Sequence, residues 1–332
     1  MKLLIVPFIL LVVLSCKEKK YEYIKVQGYA QGTTYHITYE NSASRNFAVQ
    51  IDSILKAFDL SLSEYIPNSI ISRINANDTS VKINGLFRTV FLKSQEINRN
   101  SDGAFDITVG PLVEAWGFGP KGKINNSKSH IDSLLKYVGM DKVKIVEKKI
   151  IKKYPQVSID VNAIAQGFSV DVVCKFFDSY GIKNYVVEIG GELRVKGKNA
   201  RGEKWQIGID KPVDGSNKTN EQIQAIISLS DKAIATSGDY RKFFVEDGKK
   251  YAHHIDPHTG YPAKQNLLSA SIIADDCITA DGYGTACMVS GLEKSIKLLS
   301  KHKELQAFLI YSNDSGKLCE YMTEGARKII KH

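Results

Sequence analysis

Cysteine is scarce in this chain, and what there is does not cluster. Five cysteines, at positions 16, 174, 277, 287 and 319, are spread over 332 residues with no CxxC pair among them. A structural metal site needs thiols or imidazoles at ligand spacing, so that class is set aside. Long apolar runs are missing too: beyond the first fifteen residues no segment is long and apolar enough to cross a bilayer. Gly190-Gly191 follows a strand-like run, but no GxGxxG continues from it and the next segment again reads as a strand. That excludes a Rossmann unit. No Pro/Ser-rich linker, internal repeat or pair of similar lobes divides the chain, which sets aside a two-lobed solute binder. The formal charge is +9, yet the lysines at 17, 19, 20, 148, 149, 152 and 153 lack interleaved aromatics. They read as solvated faces, not a nucleic-acid surface, and the positive potential suits an anionic ligand or membrane surface.

What is present begins with a leader. Lys2 supplies a positive start, residues 3–14 are apolar except for Pro7, and Ser15-Cys16 follows. This is too short to span a membrane and suits signal-peptidase processing. Val13-Leu14-Ser15-Cys16 resembles the lipobox of bacterial lipoproteins, which makes Cys16 the lipidated first residue of an exported, membrane-anchored protein. An ordinary signal peptide and a short buried helix remain open. Residues 1–15 are thus expected to be the signal, 16–24 a polar tether and 25–332 the folded domain. Cys174, within an apolar helical pattern, is expected to be a buried free thiol.

The periodicities predict a mixture of elements. Residues 33–40 alternate as a strand with Thr33, Tyr35, Ile37 and Tyr39 on one face. Ile51, Ile54, Leu55 and Phe58 have helical spacing, as do Phe87, Val90, Phe91 and Ile97. A helix is expected over 163–180, with Asn162 as N-cap and Gly181 as stop. Strands follow over 184–189, 192–197, 204–210, 223–229 and 267–274, then helices over 279–289 and 293–300. The pattern predicts one α+β domain with a mixed or antiparallel sheet.

Three stretches carry chemistry. His253-His254-Ile255-Asp256-Pro257-His258-Thr259-Gly260 is dense in proton carriers, and Pro257 prevents a zinc-binding helix. In residues 279–285 a helix would place Asp281 and Thr285 at i, i+4, and a carboxylate with a hydroxyl suits Mg2+; equally, Asp281 could complement a helix dipole while Thr285 packs. Residues 159–167 run from a strand through a turn into a helix, where Asp160 and Asn162 either cap or line an ion or phosphate site.

These stretches occur in order with Gln31-Gly32-Thr33-Thr34-Tyr35, the Ser63-Glu64-Tyr65 to Arg73-Ile74-Asn75 segment, Gly103-Ala104-Phe105-Asp106-Ile107-Thr108, Gly190-Gly191-Glu192 and Ala235-Thr236-Ser237-Gly238-Asp239-Tyr240. The set resembles the ApbE family of FAD:protein FMN transferases from about Val26 to the C-terminus. The resemblance implies an α+β fold related to the T-fold. It also implies Mg2+-dependent transfer of FMN from FAD to a Thr or Ser hydroxyl of a target flavoprotein, releasing AMP. Asp281, Thr285 and the carbonyl of Ala163 would hold the metal. Tyr65, Ala104, Phe105, Asp106, Asp160, Gln166 and Ile255 would line the FAD site, with Gln31 at its entrance. His254 would accept the proton of the incoming hydroxyl.

Elementary chemistry agrees: cleaving a diphosphate calls for a hard cation, an alcohol nucleophile benefits from a histidine base, and a flavin needs an aromatic or apolar wall, expected from Tyr65 and Phe105. The chain departs from the family pattern at three places. Gln166 stands where Lys is usual, Gly284 where many members have Asp, and Gln31 where Met is common. The metal pair and the histidine loop survive, which implies altered affinity, not a dead enzyme. The alternatives are a Mg2+-dependent FAD pyrophosphatase, with water as acceptor, and a flavin-binding lipoprotein without activity.

Overall fold

The computed structural model describes residues 22–42, 44–120, 122, 125–212, 222–239, 243–246, 249–264 and 266–331. The leader, Cys16 and the tether up to residue 21 lie outside the described residues, as does Tyr240. Among the described residues no helix is long and apolar enough to cross a membrane.

Eight strands form one sheet: β1 (Tyr23–Ala30), β2 (Thr33–Glu40), β3 (Tyr185–Ile189), β4 (Glu192–Lys196), β5 (Lys232–Gly238), β6 (Leu267–Ala274), β7 (Gln306–Ser312) and β8 (Leu318–Met322). Their spatial order is their chain order, and every neighbouring pair is antiparallel. The sheet is therefore a meander interrupted by long excursions, and the expected α+β class is observed. The chain enters the sheet earlier than expected. Tyr23 pairs with Glu40, packs edge-on against Trp205 and donates its hydroxyl proton to the carbonyl of Lys198, so strand order begins inside the segment read as tether.

Period-two alternation sorts side chains to the two faces. Ala235, Ile272 and Leu309 join the core beneath the helices, whereas their neighbours Ile234, Ile273 and Phe308 pack against Trp205, Ile209, Ile227 and Leu229 of a small three-stranded sheet. That sheet holds the strands Trp205–Asp210 and Ile223–Leu229 near the sequence-predicted bounds. The helical face is covered by α1 (Ala48–Leu62), α2 (Gly85–Asn100), α3 (Asn162–Ser179), α4 (Cys277–Ser290) and α5 (Leu292–Lys301). Phe87, Val90, Phe91 and Ile97 of α2 are all buried, as their spacing predicts. Each apolar side chain so buried contributes about 1.5–3 kcal/mol.

Helix α4 is the centre of the architecture. Ala280, Gly282, Tyr283, Gly284, Ala286, Cys287, Met288 and Val289 are buried, which is the signature of a helix surrounded by protein. It lies against β5 and β6 on one side and α3 on the other. The approach to α3 is close because Gly167 has no side chain: a Cβ there would lie 2.4 Å from the carbonyl oxygen of Cys277. The orphan amides at the start of α4 are satisfied from elsewhere in the fold. Asp276 accepts from the Thr279 amide, while Asp171 of α3 accepts from the amides of Cys277 and Ile278 and from the guanidinium of Arg194 on β4. Asn162 is not the N-cap of α3. That position is Val161, and Asp160 accepts the Asn162 amide instead. Cys174, Cys277 and Cys287 are buried free thiols.

Candidate functional site

The packing of α3 on α4 builds the first corner. Oδ2 of Asp281 accepts a hydrogen bond from the Gly167 amide at 2.8 Å. In regular helix geometry that amide serves the carbonyl of Ala163, four residues back. A carboxylate and a carbonyl are thereby directed to one N–H, although Asp281 lies 114 positions from Gly167. Thr285, one turn beyond Asp281 on α4, is half-buried. Burial pushes the Asp281 carboxyl above its ordinary range, against the pull of the Gly167 amide. A buried carboxylate with one amide donor, a hydroxyl one turn away and a backbone carbonyl are hard oxygen donors, and they fit a divalent cation that completes its shell with water. Among the described residues no group of three His, Cys, Asp or Glu forms a metal-ligand cluster, so a cation here would rest on one carboxylate. A side chain at 284 requires Ser237 on β5 to turn away, since a Cβ on Gly284 would lie 2.7 Å from Oγ of Ser237.

A second corner joins the turn at 103–108 to the start of α3. The Asp160 amide donates to the carbonyl of Ile107, which sets the two segments side by side. Ala104, Phe105 and Asp106 are all buried. The Phe105 ring belongs to the main core with Phe87 and Phe91, whereas Tyr65, the other ring expected to face the flavin, is 62% exposed. Asp106 is consumed within the fold, accepting from the amide and hydroxyl of Thr108, the amide of Met140 and the side chain of Asn98. Ile255 likewise packs with Leu112, Trp116 and Ile131.

Beside Tyr65 lies a residue to which the sequence attached no role. The Glu64 carboxyl shares a hydrogen bond with Asp160, and Asn162 and Asn75 point their amides at it from 3.4 and 3.5 Å. Burial, then the charge of Asp160 and that shared bond, then the charge of Glu114, hold Glu64 far above its ordinary value of 4.5. The folded chain thus keeps this proton where the unfolded chain has lost it. Stability is unaffected below about pH 4.5 and falls as pH rises from there through neutrality, by at most about 1.4 kcal/mol per pH unit. Glu64→Gln has no such proton. Its melting temperature is expected to gain on that of the parent chain steadily from pH 5 to pH 8, and parallel curves would remove the assignment.

The two glutamines that depart from the family pattern lie near the β1–β2 turn, linked through Ser169. Gln31 sits in the left-handed region at φ 54°, followed by Gly32 at 74°, as a tight hairpin turn requires. Its Oε1 accepts from Oγ of Ser169 at 3.2 Å, and that hydroxyl lies 2.7 Å from the carbonyl oxygen of Gln166. The Gln166 side chain lies across Gly190.

The third corner is the histidine loop. His258 does not pair with His254: its Nε2 meets the carbonyl of Asp102 at 3.0 Å. His254 is 5% exposed, and its Nδ1 lies 2.6 Å from Oδ1 of Asp239, the residue following β5. Strand β5 links this corner to the first, since Ser237 faces Gly284 of α4.

Residues 31–309 match the model of the ApbE family, and the chain belongs to that family. It is 37% identical over 317 residues to the FAD:protein FMN transferase of Haemophilus influenzae, covering 91% of this chain and 90% of that one. It is 36% identical over 315 residues to the FAD:protein FMN transferase of Vibrio cholerae, covering 92% of each. Its fold is similar to that of the flavin transferase ApbE from Vibrio cholerae, with a TM-score of 0.82 and 34% identity over 93% of this chain and 99% of that one. The apo flavinyl transferase ApbE of Pseudomonas stutzeri also has a TM-score of 0.82, at 29% identity over 93% of this chain and 97% of that one.

Proposed function

We propose that this chain is an FAD:protein FMN transferase that attaches FMN to a Thr or Ser hydroxyl of a target flavoprotein and releases AMP. Membership of the ApbE family supports the reaction class, and the observation that carries the site assignment is the buried Asp281 carboxylate bound by the Gly167 amide. Asp281, Thr285 and the Ala163 carbonyl would hold Mg2+, whose contribution when bound is to draw charge from the diphosphate oxygens. Tyr65 offers an exposed ring for the flavin, and on this reading the backbone of 104–106 with Asp160, Gln166 and Ile255 would line the FAD site, with Gln31 at its entrance.

In the reaction the acceptor hydroxyl oxygen bonds to the FMN phosphorus. The bond from that phosphorus to the bridging oxygen breaks, and the bridging oxygen leaves on AMP. The hydroxyl proton passes to Nε2 of His254, the ring nitrogen that Asp239 does not engage. On the same reading the chain is exported and held at a membrane by lipid on Cys16, a placement supported by the Val13–Cys16 pattern alone.

The test is mass spectrometry of a candidate acceptor after incubation with the protein, FAD and Mg2+. A gain of one FMN on a Thr or Ser, with AMP in solution, is expected. Free FMN with no covalent flavin would instead make the protein a pyrophosphatase, and FAD binding without AMP a flavin carrier.

A further inference from the structure

We propose that Asp239 is the positioning residue for His254, holding the proton on Nδ1 so that the Nε2 lone pair is directed at the acceptor hydroxyl. This rests on the reading of His254 as the base. A neutral imidazole carries its proton on either nitrogen, and the hydrogen bond made by one nitrogen decides the state of the other. An ionised carboxylate only accepts, so a carboxylate 2.6 Å from Nδ1 requires Nδ1 to be the donor.

Both partners are fixed in place. Asp239 continues directly from β5, and its amide donates to the carbonyl of Leu268 in β6, so the sheet sets where its side chain starts. His254 is held by its own carbonyl, which accepts from the Ala263 amide, and by the ring of His253 at 4.1 Å between centroids. The Asp239 side chain is 16% exposed, so little water competes for the bond. When Nε2 takes the hydroxyl proton, the imidazolium forms against a carboxylate already in contact with it, and no group has to move. Without Asp239 the ring can take the other tautomer, in which Nε2 carries a proton and cannot accept one.

Nitrogen-15 NMR of the full chain without FAD tests the dyad directly, with the His254 signals assigned by their loss in His254→Gln. The expected spectrum of the neutral ring has a protonated Nδ1 and a bare Nε2; a protonated Nε2 would overturn the proposal. In Asp239→Asn the Nδ1–H form is expected to lose its dominance, and kcat for FMN transfer to fall by about 10²-fold or more with KM for FAD nearly unchanged. An unaltered tautomer and kcat in that variant would also overturn it. The wild-type spectrum decides the matter by itself if the variant does not fold. A clear Nδ1–H signal in a protein that transfers no FMN would count against the reaction, not against the dyad.

Discussion

Asp281→Ala is expected to abolish Mg2+-stimulated FMN transfer, lowering the rate by about 10³-fold or more, while the protein remains folded. Charge neutralisation by a bound divalent ion is worth several kcal/mol, and each 1.4 kcal/mol is about tenfold in rate. The proposed site has one carboxylate, because Gly284 supplies no second, so there is no acidic neighbour to compensate. The fold should tolerate the change for the same structural reason. Asp281 accepts a single amide hydrogen bond, and burial already raises its carboxyl, so the charged form is not what holds α3 to α4. Asp281→Asn keeps an acceptor for the Gly167 amide and should still lose turnover, which separates charge from packing. Initial rates of covalent flavin fluorescence on an acceptor, measured against Mg2+ concentration, read the effect. Wild-type rates in either variant would remove Asp281 from the metal site.

Asp171→Ala is expected to damage the fold itself. This carboxylate receives two amides at the start of α4 and the Arg194 guanidinium at 2.8 Å, and it is buried. Burial raises the Asp171 carboxyl, opposed by the two amides and then by Arg194. Removing one partner of such a pair leaves the guanidinium and two amides without their acceptor, a loss of about 3–5 kcal/mol. The midpoint of urea unfolding should fall with no change in slope. Asp171→Asn, which can still accept from one amide and from Arg194, should lose less. Equal stability of the Ala variant and the parent chain would show that α4 starts on Asp276 alone.

Much of the architecture was legible because its elements are amphipathic or bounded by clear signals. Helix α2 buries the residues its periodicity selects, strand β2 buries Tyr35, Ile37 and Tyr39 of its selected face and half-buries Thr33, and β6 lies at 267–274 as the sequence suggests. Strand β5 left no such mark. Its residues Ala233, Ile234 and Ala235 are buried on both faces, so polar alternation is absent and the short run reads only as a motif. The start of α3 was misplaced by one residue, since Asp160 reaches over to the Asn162 amide and performs the task expected of Asn162. The burial of the Phe105 ring in the core was not legible, because an aromatic side chain in a turn carries no sign of whether it faces the core or a ligand.

The sequence by itself determined the kinds of group available: a carboxylate and a hydroxyl one helical turn apart, and a histidine in a stretch that Pro257 keeps from running as a helix. These follow from local spacing, and local spacing is written in the chain. Only the tertiary structure decided the partnerships. Gly167 meets Asp281 across 114 positions, Asp239 meets His254 across 15, and Glu64 meets Asp160 from separate segments. Each of these pairs forms because helices or loops are pressed together by the burial of apolar residues elsewhere, and no periodicity in either partner records which polar group will be left facing it.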